Sequence, residues 1–321
     1  MRLPTPENLG EKPWRPMHVC GNASASGFFI ERNQFWKYLF SKQFLASSDL
    51  GMSMSFLRAL MEDGGLRSGQ WKRLPKSRRF VIDYLHFAGK TPSQPLVRHC
   101  RIPDIVELRK KSSTRIGWST IFIKAYALVA AKHPELRSFL MPWPWMHVYE
   151  HPHQVVRVAM TKRCDNEDWL FFLRIEQPEE LTLEEIQKQI QSAQESPIDE
   201  IPLFRLHRVF SSLPFLLRRP LWWMIMNLSG AVRAGLTGTF GMTSVSKLGA
   251  ISVNPPTLGN MVVTFGPVSE TGAVRATFVY DHRMFDGATV AEYLAEFEES
   301  LNTAVREELA ALSHETESRA A

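Results

Sequence analysis

The stretch Asp281-His282-Arg283-Met284-Phe285-Asp286-Gly287 sets a histidine between an acid and a base, with a second acid four positions on. An imidazole can take a proton from a hydroxyl or thiol near neutral pH, provided it is held in one orientation. Asp281 and Arg283 can bias the tautomer or the pKa of that ring. Asp286 beside Gly287 can shape a turn and accept from an arginine elsewhere. The spacing alone is weak evidence, because His-x-x-x-Asp arises by chance in many chains. Its setting adds weight. The alternating run AVRATFVYDH predicts a strand that ends at His282, and a helix is predicted from about Gly287. Strand ends and helix starts are where rigid elements present side chains to a cleft.

The elements that must position this histidine follow from the same patterns. KSRRFVIDYLHFAG reads as a helix with Val81, Tyr84 and Leu85 on one side and Gly89 as its stop. PLVRHCRI alternates like a strand, and PDIVELRKK is a short helix opened by Pro103 and Asp104. STIFIKAYALVAAK is a strongly apolar helix ended before Pro134. HQVVRVAMTK and DWLFFLRIEQ form a pair of strands. Thr182 followed by Glu185 has the spacing of a capping box and opens the helix LTLEEIQKQIQSAQ. Strands are expected at SVSKLGAISV and NMVVTFGPVS, and a long helix at GATVAEYLAEFEESLNTAVREEL. Upstream, NQFWKYLFSKQFL groups aromatics at helical spacing, a packing face. The chain is α+β, with its strands concentrated toward the end.

Composition narrows the functional classes. Hydrophobic residues at 44% of 321 suffice for a sizeable core. The net charge of +5 is dispersed, with no zinc finger, RNA-binding aromatic motif or long basic block, which argues against nucleic acid. Cys20, Cys100 and Cys164 are isolated and read as reduced thiols. No basic n-region with an apolar run opens the chain, so the cytoplasm is the expected compartment. His147, His151 and His153 lie close in sequence, but Pro152 interrupts them and no further ligand follows at a suggestive spacing, so no metal is expected. The apolar segment LPFLLRRPLWWMIMNLSGAV is too short to span a bilayer. It leaves three readings: a core helix, a wall for a greasy substrate, or an interfacial helix docked by Arg218 and Arg219 in peripheral membrane contact.

The segment YDHRMFDGATVAEYLAEFEESL resembles the C-terminal signature of the dihydrolipoamide acyltransferases of 2-oxo acid dehydrogenase complexes, whose HxxxDG motif and fold chloramphenicol acetyltransferase shares. Other segments match in order. RLPKSRRFVIDYL is similar to the family's arginine-bearing first helix, PDIVELRKK and TIFIKAYALVAAKHPELRSFL to the next two helices, and GMTSVSKLGAISVNPP to the strand and Asn-Pro-Pro turn that follow. The likeness runs from about residue 74 to 302. It implies a chloramphenicol acetyltransferase-like α+β fold, a mixed sheet flanked by helices, and acyl transfer from coenzyme A as co-substrate. By that likeness His282 is the general base and Ser246 the oxyanion donor, with Thr243 as the rival in a second register. Asp286 would pair with Arg78, or with Arg79 in second place, to hold the histidine loop ahead of Gly287. The likeness also implies a homotrimer in which the histidine of one subunit faces a channel completed by its neighbour.

The expected organisation is an N-terminal extension over 1–66, the acyltransferase catalytic domain over 67–310, and a disordered tail over 311–321. No lipoyl attachment site is found, which points to a stand-alone enzyme with a small-molecule, hydrophobic acceptor. Lys247 replaces the family's asparagine after the serine, and Met284 and Phe285 fill positions that are often valine, so the acyl and acceptor preferences are open. Two other classes stay beside the enzyme: a non-catalytic trimeric assembly subunit, and an interfacial lipid-handling protein.

Overall fold

The computed structural model describes residues 70, 72–112 and 115–320. The chain divides into two compact units, Met1–Lys72 and Arg73–Ala321. The aromatic run NQFWKYLFSKQFL lies outside the described residues.

Among the described residues eight strands organise the second unit: β1 (Ser93–Arg101), β2 (Ser138–Met141), β3 (His147–Glu150), β4 (Val155–Cys164), β5 (Glu167–Glu176), β6 (Phe240–Thr243), β7 (Met261–Phe265) and β8 (Ala273–Asp281). Six of them form one mixed sheet in the order β1-β8-β7-β6-β4-β5, and β2 pairs with β3 alone. The pairs β4–β6 and β6–β7 are parallel, and the remaining pairs are antiparallel. The helices are α1 (Lys76–Ala88), α2 (Pro103–Lys111), α3 (Trp118–Lys132), α4 (Leu183–Glu195), α5 (Pro202–Ser212), α6 (Phe215–Asn227), α7 (Gly230–Thr237), α8 (Gly287–Ser300) and α9 (Arg306–Ala320).

Successive strand residues face opposite sides, so the sheet has two distinct faces. On one, Val156, Val158, Phe240, Met261, Val263 and Phe278 pack with Phe122 and Tyr126 of α3 and Phe297 of α8 in the main core. The all-round apolar α3 is buried there, as its sequence requires. On the other face, Arg157, Ala159, Phe172, Gly241 and Thr243 line a cavity with residues of α1, α5, α6 and α7.

The capping box of α4 forms as expected: Glu185 N donates to Thr182 Oγ1 at 3.2 Å, and Thr182 N donates to the Glu185 carboxylate at 2.8 Å. Elsewhere the structure departs from sequence expectation. Helix α1 buries Ser77, Phe80, Asp83, Phe87 and Ala88, while Leu85 is exposed. The reason is a buried acid that apolar periodicity does not count. Asp83 Oδ2 lies 2.7 Å from Arg218 Nε and Oδ1 lies 3.1 Å from Arg219 Nε, both on α6. Neither approach lines up with an N–H, so charge and not hydrogen bonding holds the cluster. Arg218 and Arg219 thus face a carboxylate rather than the lipid headgroups considered for them. Helix α6 is neither wholly core nor wholly surface, since Trp222, Ile225 and Met226 are buried and Leu216 and Trp223 are exposed. Among the described residues no helix is long and apolar enough to cross a membrane.

The strand expected at SVSKLGAISV does not form: none of its residues is extended in a ladder. β6 stops at Thr243, a 3₁₀ turn covers Ser246–Leu248, and Gly249 adopts a left-handed φ of 73° that extended chain cannot contain. At the other end, α9 continues helically to Ala320 where a disordered tail was expected from 311.

Candidate active site

His282 follows the last residue of β8, and its position is fixed by the residue before it. Asp281 is buried, and its backbone N–H donates to Asn260 O at 3.0 Å. Its carbonyl then accepts from Met284 N at 2.9 Å and Phe285 N at 3.2 Å, which closes a tight turn around His282 and Arg283. The Arg283 side chain folds back onto the Asp281 carboxylate, with Nε 2.9 Å from Oδ1 and Nη2 2.6 Å from Oδ2, and Arg283 N adds a bond of 3.0 Å to Oδ1. This two-point grip raises the pKa of Arg283 further, with the side-chain hydrogen bond to Asp281 as its main cause. His282 N donates to Pro92 O at 3.1 Å, which ties the turn to the start of β1. The imidazole itself is exposed, 5.5 Å from the Tyr280 ring. Among the described residues it takes no hydrogen bond.

The scaffold pair expected from the resemblance is not formed. Asp286 is an exposed N-cap of α8 without a side-chain cap bond, and Arg78 is exposed on α1. Arg79 instead donates from Nη1 to Ser211 O at 3.4 Å. The loop-holding role belongs to Asp281 with Arg283, a pair two residues apart on the histidine's own turn. The sequence suggests these two as neighbours that tune the ring, and in the structure they grip each other. Gly287 begins α8 directly after Asp286. Asp286→Ala is accordingly expected to change stability by no more than about 0.5 kcal/mol. Asp281→Ala is expected to cost on the order of 2 kcal/mol, the scale of lost charge-assisted bonds. Denaturant unfolding of the two variants checks this, and the reverse order would restore the Asp286 scaffold.

Ser246 sits in the 3₁₀ turn beyond β6. Ser246 N donates to Ser244 Oγ at 3.1 Å, and the two hydroxyls are 2.9 Å apart. Ser244 Oγ also lies 3.1 Å from Phe265 O. The Ser244 hydroxyl has one proton for these two acceptors. When it goes to Ser246, the Ser246 proton is left free to point outward. Thr243, the rival, ends β6 and lines the cavity.

Strand register decides how these groups relate. Thr243 pairs with Thr264, and Thr264 with Thr277, so the three stand in a row across β6, β7 and β8. His282 lies five residues further along β8 in one direction, roughly 17 Å at the rise of a strand. Ser246 lies beyond Thr243 in the opposite direction. Within one chain His282 lies toward one end of the sheet, and Thr243 and Ser246 toward the other.

The fold of this chain matches known structures. A truncated catalytic core of the 2-oxoacid dehydrogenase multienzyme complex from Thermoplasma acidophilum superposes with a TM-score of 0.55 at 12% identity, covering 73% of this chain and 99% of that one. The chain has the fold of these acyltransferase cores. Dihydrolipoamide acetyltransferase of Azotobacter vinelandii gives 0.54 at 15% identity over 76% and 96% of the two chains. A probable dihydrolipoamide acetyltransferase from Listeria monocytogenes gives 0.51 at 14% over 73% and 94%. No family model matches the sequence, and no curated protein matches it. The fold class expected from the sequence, an α+β chloramphenicol acetyltransferase-like fold, therefore stands.

The remaining candidates fall as follows. Phe285 is buried in the main core and Met284 packs against it, so neither lines the cavity. Trp222 does line it, while Trp223 is exposed on the other side of α6. The His151 and His153 rings are 4.9 Å apart, and Tyr149 Oη lies 3.2 Å from His151 Nδ1. Among the described residues no cluster of three His, Cys, Asp or Glu is placed to hold a metal ion.

Proposed function

We propose that this chain is an acyltransferase that moves an acyl group between coenzyme A and a small-molecule acceptor, at a site assembled from two copies in a homotrimer. The observation that carries this is the separation of His282 from Ser246: each is presented at its own end of the sheet, away from the other. A closed cyclic assembly brings the His282 end of one copy against the Ser246 end of the next. Exposed Leu248, at 84%, and Val245 surround Ser246 with apolar surface suited to such a contact.

In that site His282 takes the proton from the acceptor's thiol or hydroxyl, and the freed sulfur or oxygen attacks the thioester carbonyl carbon. The carbonyl oxygen becomes an oxyanion and accepts the Ser246 hydroxyl proton as a hydrogen bond. Collapse breaks the carbon–sulfur bond, and the proton on His282 passes to the departing coenzyme A thiolate. The Asp281–Arg283 grip keeps the base in place through this cycle. Support comes from the neighbours: the Listeria protein is a probable acetyltransferase, and in the Azotobacter acetyltransferase a serine, a histidine and an asparagine bear on the catalytic mechanism. The apolar cavity beside Thr243, with Trp222 and Ile225 in its wall, favours a hydrophobic acceptor or acyl chain.

The test is direct. Pure protein is incubated with acyl-coenzyme A thioesters from acetyl to palmitoyl and a small-molecule cell extract, and the products are read by mass spectrometry. Release of free coenzyme A together with a new acylated product is expected. Thioester loss no faster than in the blank, from a folded trimer, would instead favour the non-catalytic assembly subunit.

A further inference from the structure

The cavity on the second sheet face holds a charge that the proposed chemistry does not use. Its volume is about 170 Å³, and its walls are mostly apolar, with Phe80, Phe172, Phe210, Trp222, Ile225 and Leu236 among them. Small residues on two neighbouring strands leave it room. Gly241 pairs with Arg157 across the parallel β4–β6 ladder, and Ala159 follows two residues on along the same face of β4. Gly238 allows the approach of the arginine itself: its φ is 75°, and a Cβ there would stand 2.6 Å from Arg157 Cγ.

Arg157 is only 3% exposed. Its Nη2 donates to Gly235 O, but Nε and Nη1 have no partner. Among the described residues no carboxylate lies within ion-pair distance of it. Glu176 is near enough to be felt, but the positive charge of Arg174 acts more strongly and in the opposite sense, so burial and Arg174 together push Arg157 down to about 9. His207, stacked on Phe80 at 4.0 Å, shares the lining and leaves Nδ1 without a partner. Burial and the nearby Arg157 charge push it down to about 3, so it is neutral and has one N–H to give. A buried guanidinium with two unmatched donors is costly unless something anionic completes it.

We infer that this cavity binds a small apolar carboxylate, with the carboxylate on Arg157 and the hydrocarbon part among the aromatic walls. One fixed cation matches a monoanion, and either Nε or Nη1 can donate an N–H to a carboxylate oxygen. The rest of the lining gives a dianionic phosphate no second charge to meet. The inference concerns binding and holds whether or not His282 is a base.

Isothermal titration of the full chain with hexanoate, octanoate and decanoate, each beside its primary alcohol, tests it. At least one acid is expected to bind ten-fold or more tightly than its alcohol. Arg157→Met is expected to fold, because it removes an uncompensated buried charge, and to lose that preference. Ala159→Leu, which fills the floor, is expected to weaken acid and alcohol alike. His282→Ala is expected to leave acid binding unchanged, which separates this result from the fate of the acyltransferase reading. Equal binding of acids and alcohols, no binding of either, or an acid preference that survives Arg157→Met would overturn the assignment. If Arg157→Met does not fold, the acid–alcohol comparison on the native chain decides alone.

Discussion

His282→Ala is expected to lower acyl transfer by roughly 10²–10⁴-fold, the contribution of a positioned general base, while leaving the fold intact. The second half of that statement comes from the structure. The histidine ring is exposed, and the turn that carries it is closed by Asp281 and Arg283 through bonds that do not involve the imidazole. Ser246→Ala is expected to cost roughly 10²–10³-fold, the scale of one lost oxyanion donor. Its hydroxyl is half-buried and only bridges to Ser244, so little stability depends on it. Thr243→Ala is the contrasting change. If it is the damaging one, the donor lies on the strand and not on the turn. Turnover in each variant, with circular dichroism as the folding control, separates these cases.

Asp83→Ala is expected to carry the largest stability loss, on the order of 3–5 kcal/mol. The carboxylate is fully buried, and it faces two guanidiniums whose side chains are only 8% and 22% exposed. Removing it leaves Arg218 and Arg219 with positive charge in the contact between α1 and α6 and nothing to offset it. Replacing one partner of such a cluster is far worse than replacing the cluster by apolar residues. Asp83→Leu combined with Arg218→Met is therefore expected to recover much of the loss. Urea unfolding measures both, and a loss under 1 kcal/mol for Asp83→Ala would mean that water already reaches these charges.

What the sequence made legible was local. The alternation of β8, the capping box at Thr182 and Glu185, and the apolar α3 each express their structure within a single element, and each forms as read. The histidine motif was legible for the same reason. What was missed depends on partners distant in sequence or on backbone geometry. The buried face of α1 turns on Asp83 meeting Arg218 and Arg219, and no periodicity of apolar residues registers a buried acid. The end of β6 depends on the 3₁₀ turn and on Gly249, where a polar run with scattered apolar residues passed for a strand. Arg157 is one basic residue in an apolar strand, and no sequence pattern marks it. Its setting appears only when the parallel pairing of β4 with β6 puts Gly241 beside it. The Asp286–Arg78 pair was carried over from resemblance, and the chain substitutes a pair that neighbours the histidine directly.

The central claim is that base and oxyanion donor come from different chains, and mixing two inactive variants tests it most directly. His282→Ala keeps Ser246, and Ser246→Ala keeps His282. The two are co-expressed with different tags, and assemblies carrying both tags are isolated and assayed. If each site takes its histidine from one copy and its serine from the next, every cyclic trimer that carries both tags rebuilds one of its sites, about a third of the total. Activity should then rise to about that fraction of the native rate, far above either variant alone. Mixed assemblies that stay at the level of the single variants would contradict the account, because no pairing within one chain can restore a site from these two parents.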